Sequence, residues 1–317
     1  MAGQTYSVSG KSAIVTGAGS GINLAFTSIL LSHGCNVLLA DLTLRPEAQR
    51  LVDSYSSPTS QPRAIFLPTN VISWPDLQRT FTVAFREFGS VDIVCPGAGV
   101  YEPHWSNFWL PPGSEASQDD VEGGRYAMLD ICLTHPLRMT QLAISAFLYP
   151  PRDAKQQKAG VQNPKRIVHV ASIAAQTLPL HAPLYNATKA GLVGFIRSLA
   201  GLEGRLGIRV NGVAPGVIKT PLWMEHPEKL KLVDEGLDEW ATAEEVAEAM
   251  LRLCEEGEMV GGTILEVGRK QTRVVQRFGD MGPKGGGHTV GNIGEGEAEV
   301  FRWLGREGWG RVEKAKI

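Results

Sequence analysis

No apolar run in this 317-residue chain approaches the ~20 residues that cross a bilayer. The opening stretch, MAGQTYSVSGK, lacks the apolar core of a signal peptide, so the expectation is a cytoplasmic protein without membrane contact. Neither sign of charge dominates: 31 Lys and Arg stand against 33 Asp and Glu, and no basic block is shaped for nucleic acid. Cysteine is scarce, and Cys35, Cys95, Cys132 and Cys254 form no C-x-x-C pair. That scatter speaks against a disulfide framework or a zinc site and for buried thiols. The seven histidines never fall at the i, i+4 spacing that aims two ligands from one helix face, so no metal is expected.

What is present is a rhythm. Seven short apolar runs, at 12–16, 36–41, 64–67, 91–95, 166–172, 208–215 and 263–268, alternate with helical patterns at 20–33, 74–88, 121–149, 184–206 and 242–255. The runs lack a clean polar alternation, as strands covered by helices on both faces do. This predicts an α/β fold, a doubly wound parallel sheet of about seven strands, within one domain over 1–268. Residues 150–165 read as an exposed polar loop. Beyond 268 lies an extension to 317, with eight glycines among positions 279–296 and then Val300, Phe301, Trp303 and Leu304. It reads as a linker leading to a helix that docks on a partner subunit or over a pocket, or as a disordered tail.

Thr16, Gly17, Ala18, Gly19, Ser20, Gly21 and Ile22 follow the first strand and open the first helix. A tight turn with little side chain lets a pyrophosphate approach the free N–H groups and positive dipole end of a helix. Asp41, with Leu42 beside it, ends the second strand 20 residues beyond Gly21, where a carboxylate can accept hydrogen bonds from ribose hydroxyls. It would repel a 2′-phosphate, which favours NAD over NADP. A plain strand-to-helix turn and a helix-capping aspartate are the bland alternatives. Arg45 is the nearby cation that could tolerate the phosphate, or a surface residue.

Tyr185 and Lys189 stand one helical turn apart and share a face. A tyrosine normally titrates near ~10, so a base useful at neutrality needs its pKa lowered by about 3, roughly 4 kcal/mol. Lys189 and an oxidised nicotinamide are the expected sources. Ser172 ends the fifth strand, where its hydroxyl could hold a substrate oxygen.

With these motifs the chain closely resembles the short-chain dehydrogenase/reductase family over about residues 10–268, in the form carrying TGxxxGxG and YxxxK. The resemblance implies a Rossmann-type fold with Ser172, Tyr185 and Lys189 as catalytic residues. Tyr185 would exchange a proton with the substrate oxygen, and Lys189 would also bond the nicotinamide ribose. Asn70 and Val71 would flank the adenine, and Gly97, Ala98 and Gly99 would line the cofactor. Pro215, Gly216, Val217, Ile218 and Thr220 would contact the nicotinamide end. Three positions depart from the family pattern. Asn23 replaces the third fingerprint glycine; Pro96, Gly97, Ala98 and Gly99 replace Asn-Asn-Ala-Gly and its bracing side chains; and Cys132 stands where a catalytic asparagine is usual.

Two aromatic segments should wall the substrate pocket, Val100 to Arg125 with Tyr101, Trp105, Phe108 and Trp109, and Lys219 to about Trp240 with Leu222, Trp223, Met224 and His226. Such walls suit a bulky apolar or polycyclic alcohol or ketone; the alternative is that these rings pack the loops or a subunit interface. His104 and His181 could bond a substrate oxygen or sit in ordinary loop roles. The expectation is an NAD-dependent oxidoreductase acting on a secondary alcohol or its ketone. A non-redox cyclase, isomerase or dehydratase and a catalytically silent dinucleotide-binding protein are the alternatives. The resemblance further implies a homodimer or homotetramer packed through helices 121–149 and 184–206.

Overall fold

In the computed structural model, which describes residues 6–57, 59, 61–177, 180–225, 230–231, 234, 239–276 and 293–310, strand β1 (Ser12–Thr16) is buried at all five positions. It lies between β2 (Asn36–Asp41) and β4 (Ile93–Pro96), parallel to both. With β3 (Ala64–Pro68), β5 (Lys165–Val170), β6 (Ile208–Pro215), β7 (Ile264–Gly268) and β8 (Gln271–Val274), the described residues form an eight-stranded sheet ordered β3-β2-β1-β4-β5-β6-β7-β8. Strands β1 to β7 are parallel, and β8 turns back antiparallel on β7. Strand β8 reads QTRV and is exposed throughout, so it gives no apolar signal; it extends the sheet past Gly268.

Both faces of the sheet are covered because successive side chains alternate between two cores. Ala13, Val15, Val37, Leu39, Ile93 and Cys95 face one core, shared with helix α1 (Gly21–Ser32). Ile14, Leu38, Val94, Ile167 and Val210 face the other, and it takes Leu77, Phe81 and Ala84 from α3 (Trp74–Phe88), which follows the short α2 (Pro46–Ser54). Helix α3 starts where the Ser73 hydroxyl accepts from the Asp76 N–H at 3.3 Å and stops at Gly89, whose φ of 78° continues no right-handed helix.

The long helix expected over 121–149 begins only at Ala127. Residues 121–126 are loop, and the first helical N–H groups are met from elsewhere: Ala127 donates to Asp119 Oδ1 at 2.8 Å and Met128 to Ser106 Oγ at 3.0 Å. The helix then runs as α4 (Ala127–Leu129), a π-helical stretch Asp130–Thr134, and α5 (His135–Leu148). Pro136 has no N–H for the carbonyl of Cys132, which accounts for the irregular register there. The helix expected over 184–206 is also interrupted. After the short α6 (Ala174–Thr177), α7 (Pro183–Ser198) ends before Gly201, and α8 (Leu202–Leu206) follows. Between β6 and β7 come α9 (Pro221–Met224) and α10 (Ala243–Glu255), the latter with a reciprocal cap between Thr242 and Glu245. All four cysteines are buried and unpaired.

Positions 279–292 of the glycine-rich stretch lie outside the described residues, as does His226. Helix α11 (Ile293–Leu304) is seated on the chain's own helices and not over the crevice. Leu304 is buried, the Tyr149 hydroxyl donates to its carbonyl, Ser145 Oγ donates to the Trp309 carbonyl at 2.8 Å, and the Arg205 guanidinium lies 4.1 Å from the Phe301 ring centroid.

Candidate active site

The strand order reverses between β1 and β4, and their carboxyl ends open a crevice there, the usual ligand position in an open α/β sheet. A cavity of about 650 Å³ runs from the β2 end to the α6–α7 region. Of the residues singled out above, Gly17, Ser20, Gly21, Ile22, Asp41, Leu42, Asn70, Val71, Gly97, Ala98, Gly99, Ser172, Tyr185, Lys189, Pro215, Gly216, Ile218 and Thr220 line it. Gly19 and Val217 do not. Gly19 turns toward Asp41 and gives its N–H to Oδ2 at 2.8 Å, and the Val217 carbonyl accepts from Ala241 at 3.1 Å.

The turn after β1 is built for close approach. Gly17 has φ 71°, and a Cβ there would fall 2.7 Å from the Ala98 Cα. Helix α1 carries no acidic residue in its first turn and no side-chain cap, leaving N–H groups and positive dipole free for an anion. Asp41 is fixed at both oxygens, Oδ2 by Gly19 and Oδ1 by the Leu42 N–H at 2.7 Å. Arg45 and Glu225 also line this end and bond to one another, a pairing across 180 residues that no local spacing announces.

Two family departures prove to be one packing arrangement. A Cβ on Gly97 would lie 2.6 Å from Asn23 Cγ and 2.7 Å from its Nδ2. The Asn23 side chain therefore fills the space a side chain at 97 would take. The bracing expected to be missing comes instead from Thr16, whose Oγ1 accepts from the Gly97 and Ala98 N–H groups at 3.0 and 3.3 Å. Behind it, His135 Nδ1 bonds the Ile131 carbonyl and Nε2 meets Thr16 Oγ1, both at 3.1 Å, an arrangement satisfied by one neutral tautomer. Burial pushes the His135 pKa down to about 4.

At the other end, α7 carries Tyr185 in its first turn and Lys189 one turn on, with Nζ 5.4 Å from the phenol ring centroid. Lys189 Nζ donates to the Val170 carbonyl at 2.8 Å. Ser172 reaches the phenol and draws its pKa down, but burial outweighs this and the Tyr185 pKa is raised, against the lowering expected from the sequence. Burial also lowers the pKa of Lys189. Cys132 does not copy an amide: its Sγ meets the N–H and the carbonyl of Val100, both at 3.3 Å, and burial keeps it a thiol.

The aromatic segments divide. Trp105, Leu222 and Trp223 line the cavity. Tyr101 is wedged between Tyr185, edge-on at 4.7 Å, and Trp223 at 5.4 Å, with its hydroxyl 2.7 Å from His181 Nε2. Phe108 and Trp109, 48% and 51% exposed, pack on one another, and Met224 and His104 are exposed. Glu102, which the sequence reading passed over, is buried beside Tyr185.

The chain is similar to known proteins in sequence and in fold. The family model described as short chain dehydrogenase matches residues 11–231. A hydroxynaphthalene reductase-like protein of Metarhizium robertsii is 31% identical, covering 68% of this chain and 72% of its own. The 15-hydroxyprostaglandin dehydrogenase [NAD(+)] of Rattus norvegicus is 29% identical, covering 77% and 80%. A short-chain dehydrogenase/reductase of Brucella melitensis, a glucose/ribitol dehydrogenase by description, superimposes with a TM-score of 0.63 at 26% identity, over 83% of this chain and 97% of its own.

Proposed function

The chain belongs to the short chain dehydrogenase family, whose members bind a nicotinamide dinucleotide, and on that premise we propose an NAD-dependent oxidoreductase that interconverts a bulky, apolar or polycyclic secondary alcohol and its ketone. The observation that carries the reading is the convergence of Ser172, Tyr185 and Lys189 at one end of a cavity whose other end holds the glycine turn and Asp41. The turn fits a dinucleotide because it leads into the N-terminus of α1, which has neither an acidic residue in its first turn nor a side-chain cap to compete with a pyrophosphate. NAD, when bound, accepts a hydride in alcohol oxidation and returns it in ketone reduction.

This chain's own residues handle the proton. Tyr185 Oη takes the proton of the substrate hydroxyl in oxidation and gives it back in reduction, while Ser172 Oγ holds the substrate oxygen beside it. Burial favours the neutral phenol, so ionisation depends on cations nearby, and among the described residues the Lys189 ammonium lies 5.4 Å from the ring centroid. Asp41 takes the adenosine ribose hydroxyls. Two carboxylates, Asp41 and Glu225, line this end and Arg45 is tied to the second, so a 2′-phosphate gains no free cation from the described residues there, and NADP is disfavoured.

The substrate class rests on Tyr101 against the phenol and on Trp105 and Trp223 lining the same cavity, and two relatives are named for bulky hydroxyl compounds, a hydroxynaphthalene and 15-hydroxyprostaglandin. The reading includes a cytoplasmic homodimer or homotetramer, and a monomer mass by light scattering at micromolar concentration would remove the oligomer. For the chemistry, Tyr185→Phe assayed with NAD and a panel of secondary alcohols should lose at least about 100-fold in turnover with NADH affinity unchanged. Substantial residual turnover would overturn it.

A further inference from the structure

Glu102 is an ionisable side chain that is only 5% exposed, on a residue whose φ of 23° is rare for anything but glycine. A buried carboxylate is retained only when its oxygens are satisfied. Here Oε2 accepts the Tyr185 N–H at 2.8 Å, and the Leu184 N–H bonds the same carboxylate. Oε1 accepts the Phe108 N–H at 3.2 Å, and the Glu102 carbonyl accepts Asn107 Nδ2 at 3.2 Å.

Leu184 and Tyr185 lie in the first turn of α7, where N–H groups have no partner inside the helix. The residue at the cap position is Ala182, which has no side chain to offer them. Glu102, 83 residues upstream, supplies the missing acceptor. The same carboxylate closes the Asn107–Phe108 turn within the segment that also carries Tyr101 and Trp105.

We propose that Glu102 is a positioning residue of this site, fixing the first turn of α7 and the aromatic wall in one frame so that the Tyr185 phenol meets the substrate oxygen in register. The proposal rests on the reading of Tyr185 as the proton-exchanging group. It also specifies the chemistry required at position 102. Every partner of the two oxygens is an N–H donor, so a carboxylate satisfies them all and a carboxamide must turn its own N–H₂ toward one of them.

The test uses the full chain with NAD and the best alcohol of the panel, comparing Glu102→Gln, Asn107→Ala and Tyr185→Phe. Rates are expressed per NADH-binding site, so that misfolded protein does not count. Glu102→Gln should lower kcat 10- to 100-fold with the NADH Kd within twofold of the parent. Backbone hydrogen exchange should accelerate together at 184–186 and 107–109, and not at 21–24 beside the glycine turn. Asn107→Ala, which releases the Glu102 carbonyl and also the Trp109 N–H that Asn107 Oδ1 accepts at 2.9 Å but leaves the Glu102 carboxylate in place, should lower kcat about threefold and keeps the proposal testable if the glutamine variant fails to fold. A kcat per binding site within twofold in Glu102→Gln, or for an unfolded glutamine variant in Asn107→Ala, overturns the proposal, as does unchanged exchange at both segments. Full activity in Tyr185→Phe overturns the underlying reading instead, while the exchange data still report whether Glu102 joins the two segments.

Discussion

At the β2 end of the crevice, Asp41 is held by the N–H of its neighbour Leu42 and by that of Gly19, 22 residues away. At the opposite end, Tyr185 is held by Glu102 from 83 residues away, Tyr101 by His181 from 80, and the Trp109 indole by the Leu180 carbonyl from 71. Apart from the Arg45–Glu225 pair laid across it, the first half is made of strand ends and main chain, whose geometry follows from β1, β2 and β4 lying side by side. The second is made of loops fastened by single side chains. On the proposed function, cofactor recognition would be a property of the sheet, and substrate recognition a property of a few long-range bonds laid over it. Changes to the first should damage binding outright, and changes to the second should alter rate and selectivity first.

The largest expected effect attacks the sheet-built half. Gly97→Asn forces a side chain onto Asn23, an overpacking that costs about 1–3 kcal/mol of stability and displaces the cofactor-facing turn, so NADH affinity should fall by roughly a hundredfold. Combining it with Asn23→Gly vacates the same space and should restore affinity to within about tenfold. Fluorescence titration checks both, and a single variant binding NADH like the parent would break the contrast. Next, Trp223→Ala should raise KM for a bicyclic alcohol about tenfold and for a small alcohol less than twofold, with NADH affinity unchanged; equal effects on both would deny Trp223 a role in the wall.

The core behind the site carries a pH signature. Burial holds the pKa of His135 at about 4 and of His169 at about 3, whereas both titrate near ~6.5 when unfolded. Above ~6.5 neither state is protonated and stability is intact. As pH falls from ~6.5 toward 4 the unfolded chain takes up protons that the native chain refuses, and stability drops by about 3 kcal/mol per group. The Tm should therefore decline over that window. His169→Met should flatten the decline at little cost near pH 7, because His169 Nδ1 has no partner and Thr140 keeps the Pro136 carbonyl as acceptor at 2.8 Å. An unchanged slope would contradict the buried neutral imidazole. The smallest effect sharpens the cofactor half: Glu225→Gln weakens the hold on Arg45 and should improve NADPH affinity a few fold, with NADH unaffected. No gain for NADPH would show that Arg45 is not what limits it.

The same contrast explains how much could be read from the chain alone. SAIVT, NVLLAD and IRVNGVAP announce buried strands by composition, and each matches its strand end to end. The glycine turn, Asp41 and the Tyr185–Lys189 pair are legible because each is a short-range pattern forced by a strand end or a helical turn. Strand β8 was invisible because an exposed edge strand needs no apolar face. The helix start at Ala127 was misplaced because its caps, Ser106 and Asp119, come from the loop before it and follow no spacing rule. Glu102 follows no spacing rule for the same reason, and at Gly97 the loss of a bracing side chain is legible in the sequence whereas the Asn23 side chain that occupies its space is not.

A preformed dinucleotide site that selects NAD through Asp41 should show itself when the purified protein is titrated with NADH and NADPH separately. The readout is energy transfer from its seven tryptophans to the bound nicotinamide. Saturable NADH binding at least about tenfold tighter than NADPH is expected. Equal or tighter binding of NADPH would contradict the role given to Asp41, and no binding of either would contradict the site itself.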